Sequence, residues 1–257
     1  MKFFTSEATV PLRLEAKESA EMVSQLVFGD TGEILEESGN WYRIRCEADG
    51  YEGWATSYML APVAAEEYAQ ISGWCYLWEG KLLLEDGSHL ALPLGARVPL
   101  MGGSKVPEPF SLGGYSWGLA GAAKPLAWQE PQHIADVALL FLNAPYLWGG
   151  RSAWGIDCSG LSQQVYAMCG LRLPRDASQQ QQTGMQIPFG AQQRGDLVFF
   201  RKENQERVSH VGILCAENQI IHASGKVRLD FLDENGLIHA GLKQRTHWMV
   251  SIHRYQT

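Results

Sequence analysis

The 257-residue sequence predicts a multidomain chain: two small all-β barrels followed by an α+β domain. Three observations support this. From 10 to about 60, and again from about 71 to 119, short apolar stretches alternate with turns. From 131 onward apolar positions recur at helical spacing, and after Pro174 strand-like runs return. The texture places the boundaries at 1–62, 68–124 and 128–257.

In the first segment, 22–28, 32–37, 41–46 and 50–55 read as strands. The 41–46 run alternates with period two and lies between Ser38-Gly39-Asn40 and Ala48-Asp49-Gly50, a hairpin pattern. Four or five such strands in so short a segment make a small barrel. An Ala- and Glu-rich linker at 62–67 leads to the second segment. Its expected strands are 73–78, 82–84, 90–92 and 98–101, with turns at Glu85-Asp86-Gly87 and Gly102-Gly103-Ser104. In the third segment a helix over 131–142 is expected from Ile134, Val137, Ala138, Phe141 and Leu142, with a proline at its start. A second helix over 157–169 places Leu161, Val165 and Met168 on one stripe. Strands are expected at 196–200, 211–215, 219–222 and 248–253.

Composition narrows the function. Hydrophobic residues make up 46% and charged residues 19%, enough apolar material for packed cores and too little charge for disorder. A formal charge of −7 argues against nucleic acid or an anionic membrane as partner. The cysteines at 46, 75, 158, 169 and 215 are odd in number and irregularly spaced, so neither a disulfide framework nor a zinc site is expected. Neither ligand clusters nor phosphate-cradling glycine loops occur, and no cofactor is expected. No apolar window is long enough for a transmembrane helix, and no apolar signal core follows Met1-Lys2-Phe3-Phe4. The expectation is a cytoplasmic protein; the alternative is an exported one whose leader is absent.

The chemistry is concentrated around Cys158, in Gly155-Ile156-Asp157-Cys158-Ser159-Gly160-Leu161, with His210 and His222 downstream. A thiol needs only to be held as thiolate, and a neighbouring imidazole can do so. Unpaired amides and the positive end of a helix at Cys158 would lower the thiol pKa. Cys46, Cys169 and Cys215 read as buried core thiols. His89, His133, His239, His247 and His253 fall in no such pattern and read as surface or structural.

Six blocks occur in order: Tyr146-Leu147-Trp148-Gly149-Gly150, Asp157-Cys158-Ser159-Gly160-Leu161, Leu173-Pro174-Arg175-Asp176-Ala177-Ser178, Gly195-Asp196-Leu197-Val198, Ser209-His210-Val211-Gly212 and Ile221-His222-Ala223-Ser224. Together they resemble the signature blocks of the NlpC family of bacterial cell-wall cysteine peptidases. The plan is papain-like: a nucleophile at a helix start, packed on an antiparallel sheet that carries the histidines. Gly39-Asn40-Trp41-Tyr42-Arg43-Ile44 and Gly50-Tyr51-Glu52-Gly53-Trp54 resemble bacterial SH3-like domains, and the second barrel reads as a degenerate copy. The resemblance implies that Cys158 is the nucleophile, His210 the general base and His222 the polarising third residue. The Cys158 amide would meet the oxyanion, with Tyr146 as a candidate second donor.

Paired SH3-like modules ahead of such a domain resemble the endopeptidases that cut the γ-D-glutamyl to L-diamino acid bond of murein stem peptides. These need a free N-terminal L-alanine and act in cell-wall peptide recycling; in them the first barrel walls off one end of the cleft. The resemblance makes Asp157, Glu21 and Tyr51 candidates for reading the ammonium, and Ser159 and Ser178 candidates for contacting the peptide. The diamino acid stays open between meso-diaminopimelate and lysine. Three rivals remain: a secreted hydrolase of intact wall using the barrels as targeting modules, a binding protein with a decayed triad, and an acyltransferase or amidase on the same fold.

Overall fold

Turn residues at both ends of the Trp41 to Cys46 alternation close it into one strand of a larger sheet in the computed structural model, which describes residues 1–119, 124–126 and 130–255. That sheet holds β1 (Lys2–Thr5), β2 (Thr9–Arg13), β3 (Met22–Val27), β4 (Thr31–Ser38), β5 (Trp41–Cys46), β6 (Glu52–Thr56) and β7 (Leu60–Val63), ordered β3-β2-β6-β5-β4-β1-β7. The β4–β5 register pairs Ile34 with Ile44 and Ser38 with Trp41. Phe3, Val10, Leu12, Leu26, Ile44, Ala55 and Leu60 fill its interior. The expected strands are present, and β1, β2 and β7 complete the sheet.

A short helix α1 (Ala65–Tyr68) leads to β8 (Ile71–Leu83), β9 (His89–Leu92), β10 (Arg97–Met101), β11 (Phe110–Leu112), β12 (Tyr115–Leu119) and β13 (Lys124–Pro125). The two strands expected at 73–78 and 82–84 are one continuous strand, β8. Its length lets it pair with β9, β10, β12 and β13 in turn. Apolar residues from both halves of the N-terminal segment share one cluster. Phe4, Val27 and Phe28 pack with Leu77, Val98, Phe110 and Trp117. The Phe4 ring lies 5.2 Å from Phe28 and 5.4 Å from Trp117. Contacts divide the whole chain into Met1–Ala127 and Trp128–Thr257. The expected start of the third domain, at 128, lies outside the described residues.

The C-terminal unit contains α2 (Ile134–Leu139), a β14 (Arg151–Ser152) and β15 (Gly155–Ile156) hairpin, α3 (Cys158–Met168) and α4 (Ala177–Gln180). Then follow β16 (Met185–Ile187), β17 (Leu197–Arg201), β18 (His210–Ala216), β19 (Gln219–Ser224), β20 (Lys226–Asp233), β21 (Gly236–Ile238) and β22 (Arg245–Arg254). The helix expected over 131–142 is split: 131–133 forms a tighter turn, and α2 ends at Leu139. The sheet runs β16-β22-β17-β18-β19-β20-β21, and β21 also pairs with β22. Strand β17 is buried on both faces, which is why Leu197-Val198-Phe199-Phe200 is a continuous apolar run rather than an alternation.

One face of this sheet carries Val198, Phe200, Leu214 and Ile220, packed with Leu232, Leu237 and Ile252. The register pairs Phe200 with His210, Ile220 with Asp230 and His222 with Arg228. Period-two geometry therefore sets His210, His222, Arg228 and Asp230 on that same face, where the apolar row gives way to polar groups. Gly212 makes room for them: a Cβ there would meet Ile220 side-chain carbons at 2.8 Å and His222 Cβ at 3.1 Å.

Phe4→Ala should cost about 3–5 kcal/mol because it opens a cavity in the shared N-terminal cluster. Leu14→Ala, at an exposed position, should stay within about 0.5 kcal/mol. Urea unfolding followed by tryptophan fluorescence checks this; equal costs would count against the shared core.

Candidate active site

Asp157 is extended (φ −94, ψ 178) and caps α3, its carboxylate accepting the Gly160 N–H at 2.7 Å. The chain passes so close here that a Cβ on residue 160 would stand 2.2 Å from the Gly150 carbonyl oxygen. That explains the glycine two places after the nucleophile. The same carboxylate accepts the Gly149 N–H at 2.8 Å and the Ser159 hydroxyl at 3.3 Å. Arg175 donates to both of its oxygens, at 3.1 and 2.7 Å, and to Ser159 Oγ at 2.9 Å. Asp157 and Arg175 are both buried. This bidentate pair sits directly behind the first turn of α3. Gln180 adds a further tie, donating to the Ser159 and Pro174 carbonyls at 3.1 and 2.8 Å and accepting the Ser162 hydroxyl at 2.7 Å.

Cys158 opens the helix and, alone of the five cysteines, is only half-buried. Helix α3 packs on β18, and the thiol lies within hydrogen-bonding reach of the Val211 and Ser159 main-chain amides. Val211 follows His210, so the nucleophile and the first histidine meet at the start of β18. His210 Nε2 lies 2.8 Å from His222 Nδ1, and His222 Nε2 lies 3.0 Å from Asp230 Oδ2. Asp230 also accepts Arg228 Nε at 3.0 Å and the Ala240 N–H at 2.8 Å. With Nε2 engaged by His222, Nδ1 is the His210 nitrogen left to exchange a proton with the thiol. His247 stacks on His210, with ring centroids 4.3 Å apart.

The electrostatics favour neutral partners. Burial, then the Asp157 charge, push the Cys158 thiol up to about 12. Burial, then His222, His247 and Arg228, hold His210 well below the usual imidazole range. Burial also lowers His222 and takes His247 down to about 4. Burial works against an ionised Asp230, yet hydrogen bonds from His222 and Ala240 hold it down at about 2. Each shift works against the charged form of its own group, so an ion pair here depends on the two charges stabilising each other. At the helix end the Ser159 amide favours the expected thiolate, while burial and Asp157 work against it.

Burial and the neighbouring Cys158 and Asp157 charges push Tyr146 up to about 12, so its phenol stays an O–H donor beside the nucleophile. Asp157, expected to read an ammonium, already accepts five hydrogen bonds from the chain, which a substrate cation would have to share. Ser159, expected to touch the peptide, turns its hydroxyl inward to Asp157 and Arg175. Ser178 is half-buried within α4, whose cap is Asp176. Glu21 and Tyr51 belong to the N-terminal unit. Glu21 is exposed just before β3, and the Tyr51 ring is half-buried against the first sheet's interior. Among the described residues, no group of His, Cys, Asp and Glu is placed to hold a metal ion, and no helix is long and apolar enough to cross a membrane.

The NlpC/P60 family model matches residues 143–246, which contain the nucleophile and both histidines. A γ-D-glutamyl-L-lysine dipeptidyl-peptidase of Bacillus subtilis is 30% identical over 216 residues, covering 78% of this chain and 71% of the relative. The chain belongs to the NlpC/P60 family. It is a cysteine peptidase. A bacterial dipeptidyl-peptidase SH3 domain matches residues 12–58 of this NlpC/P60 peptidase, so an SH3-like domain precedes the papain-like one. A Bacillus cereus protein of the same name as the B. subtilis relative is 22% identical over 243 residues, 86% of this chain and 72% of that one. The fold matches a crystal structure of an NlpC/P60 family protein from B. cereus with a TM-score of 0.80 at 19% identity, covering 99% of each chain.

Asp230 and Arg228 were not found from sequence, because strand β20 was not recognised. Their signal is a pair of charges at alternate positions within Val227-Arg228-Leu229-Asp230-Phe231-Leu232, one strand beyond His222. His247, read as surface or structural, packs on the first histidine.

Arg175→Met should leave Asp157 buried without its cation and cost about 3–5 kcal/mol, whereas removing both charges in an Asp157→Asn, Arg175→Met protein should cost less. The single variant should also alkylate more slowly at Cys158, since Arg175 helps to offset the Asp157 charge there. Thermal unfolding and iodoacetamide rates check both effects; an unchanged stability would contradict the role given to the ion pair.

Proposed function

We propose that this NlpC/P60 peptidase hydrolyses the bond between γ-D-glutamate and the L-diamino acid of murein stem peptides that begin with a free L-alanine. The single observation that carries the reading is the span of the similarity. A dipeptidyl-peptidase SH3 domain match at 12–58 and a 216-residue match to a γ-D-glutamyl-L-lysine dipeptidyl-peptidase accompany an intact Cys158, His210 and His222 constellation. In this reading the second N-terminal sheet is a degenerate SH3-like module, and the protein acts in cytoplasmic recycling of wall peptides.

The mechanism follows from the site. His210 Nδ1 takes the Cys158 proton as sulfur attacks the γ-glutamyl carbonyl. The oxyanion forms beside the Cys158 amide and the Tyr146 phenol. Collapse expels the α-amine of the diamino acid, which takes the proton back from His210, and leaves an L-Ala-γ-D-Glu thioester on Cys158. Water activated by His210 then releases the dipeptide. The ammonium of L-alanine needs an anionic or polar partner, because burying it unpaired is costly. Glu21, Tyr51 and Asp157 are the candidates we carry forward for it from the resemblance, and Ser178 is the candidate for the peptide.

Purified protein should release L-Ala-γ-D-Glu from free tripeptides ending in lysine or meso-diaminopimelate, read by mass spectrometry, and the faster of the two identifies the diamino acid. N-acetylation should lower kcat/KM about 100-fold, the equivalent of about 2.7 kcal/mol. Glu21→Gln should raise KM severalfold for the free peptide and leave iodoacetamide reactivity of Cys158 unchanged. Faster cleavage of intact sacculi than of free peptides would replace this reading with that of a wall hydrolase.

A further inference from the structure

We propose that Asp230 is a positioning residue that fixes the tautomers of both active-site histidines, and so decides which nitrogen of His210 acts as the base. Asp230 is buried, and its carboxylate is filled from three sides. It accepts His222 Nε2 and Arg228 Nε on one oxygen, both at 3.0 Å, and the Ala240 N–H on the other at 2.8 Å. A carboxylate in this setting offers acceptors alone, so His222 must carry its proton on Nε2. A neutral His222 then has only a lone pair at Nδ1. That lone pair, 2.8 Å from His210 Nε2, requires His210 to carry its proton on Nε2. His210 Nδ1 is left bare to receive the thiol proton. One anion thereby orders two hydrogen bonds in sequence, Asp230 to His222 and His222 to His210.

The other charged and titratable groups around this chain fit the assignment. Arg228, on the same strand as Asp230, holds the carboxylate and also donates to the Ser224 carbonyl. His247 on β22 stacks against His210. His239 lies after β21, near enough to His222 to disfavour a charge there. Burial, Arg228 and His239 oppose a charge on His222, and His247 and Arg228 oppose one on His210, which favours the neutral, ordered tautomers. Without the anion the ladder can invert: His222 would donate from Nδ1, His210 would accept at Nε2 and hold its proton at Nδ1, and the base would face the thiol already protonated.

The assignment rests on Cys158 and His210 as the reacting pair, but not on the identity of the substrate. The test is a long-range proton–nitrogen correlation spectrum of protein labelled with 15N-histidine, recorded near pH 7.5 without substrate. We expect His222 and His210 each protonated at Nε2 and bare at Nδ1. Asp230→Asn should shift the His222 signals toward Nδ1 protonation. It should lower kcat about 100-fold, less than the roughly 10⁴-fold seen where the carboxylate touches the base itself, with KM changed less than twofold. A wild-type spectrum showing Nδ1–H on His222 would overturn the proposal, as would an Asp230→Asn enzyme with undiminished kcat or unchanged tautomers. Should that variant fail to fold, the wild-type spectrum decides alone. Because the spectrum involves no peptide, a failed stem-peptide assay leaves this result standing.

Discussion

The Asp157–Arg175 ion pair, buried behind the first turn of α3, is the constraint on which the site depends. Its carboxylate orders the nucleophile's helix from the cap and fixes the loop through Gly149, while carboxylate and guanidinium together hold the Ser159 hydroxyl inward. A buried ion pair contributes little net stability when compared with apolar residues of the same shape, but breaking it is costly. Its value here is geometric. With the cap fixed, the thiol cannot drift from the Val211 amide, and the strand bearing His210 meets a nucleophile whose position is set before substrate arrives.

That arrangement has an electrostatic consequence. The anion that holds the helix also disfavours a second anion at the adjacent sulfur, while burial and three cationic or titratable neighbours disfavour a charged His210. Both effects lean toward a neutral resting pair. Reactivity then comes from moving a proton within the pair while charge develops on the substrate, where the helix-start amide and the Tyr146 phenol can receive it.

Much of this was legible in the chain. The Asp-Cys-Ser-Gly block encodes a capped helix because Asp caps well and only glycine tolerates the close pass at residue 160. His210 and His222 stand on strands whose apolar alternation is plain on either side. What escaped was nonlocal. Strand β8 reads as two pieces because its Gly80 and charged positions interrupt the apolar pattern, yet it pairs with four partners. Asp230 lies in a run where charged residues occupy inward positions, which masks the strand itself. The duty of Arg175 could not be read from a motif, because its partner lies 18 residues earlier and they meet only after α3 and the following loop have folded. His247 comes to His210 through the pairing of β17 with β22, a contact that sequence spacing does not reveal.

The account stands or falls on covalent chemistry at one sulfur. Acid quenching during turnover of the free stem tripeptide, followed by intact-mass and peptide-mapping analysis, tests it most directly. We predict a mass increase equal to one L-Ala-γ-D-Glu acyl group, mapped to the peptide containing Cys158 and absent from Cys158→Ala. Dipeptide release by Cys158→Ala, or an acyl group mapped to Cys46, Cys75, Cys169 or Cys215, would contradict it.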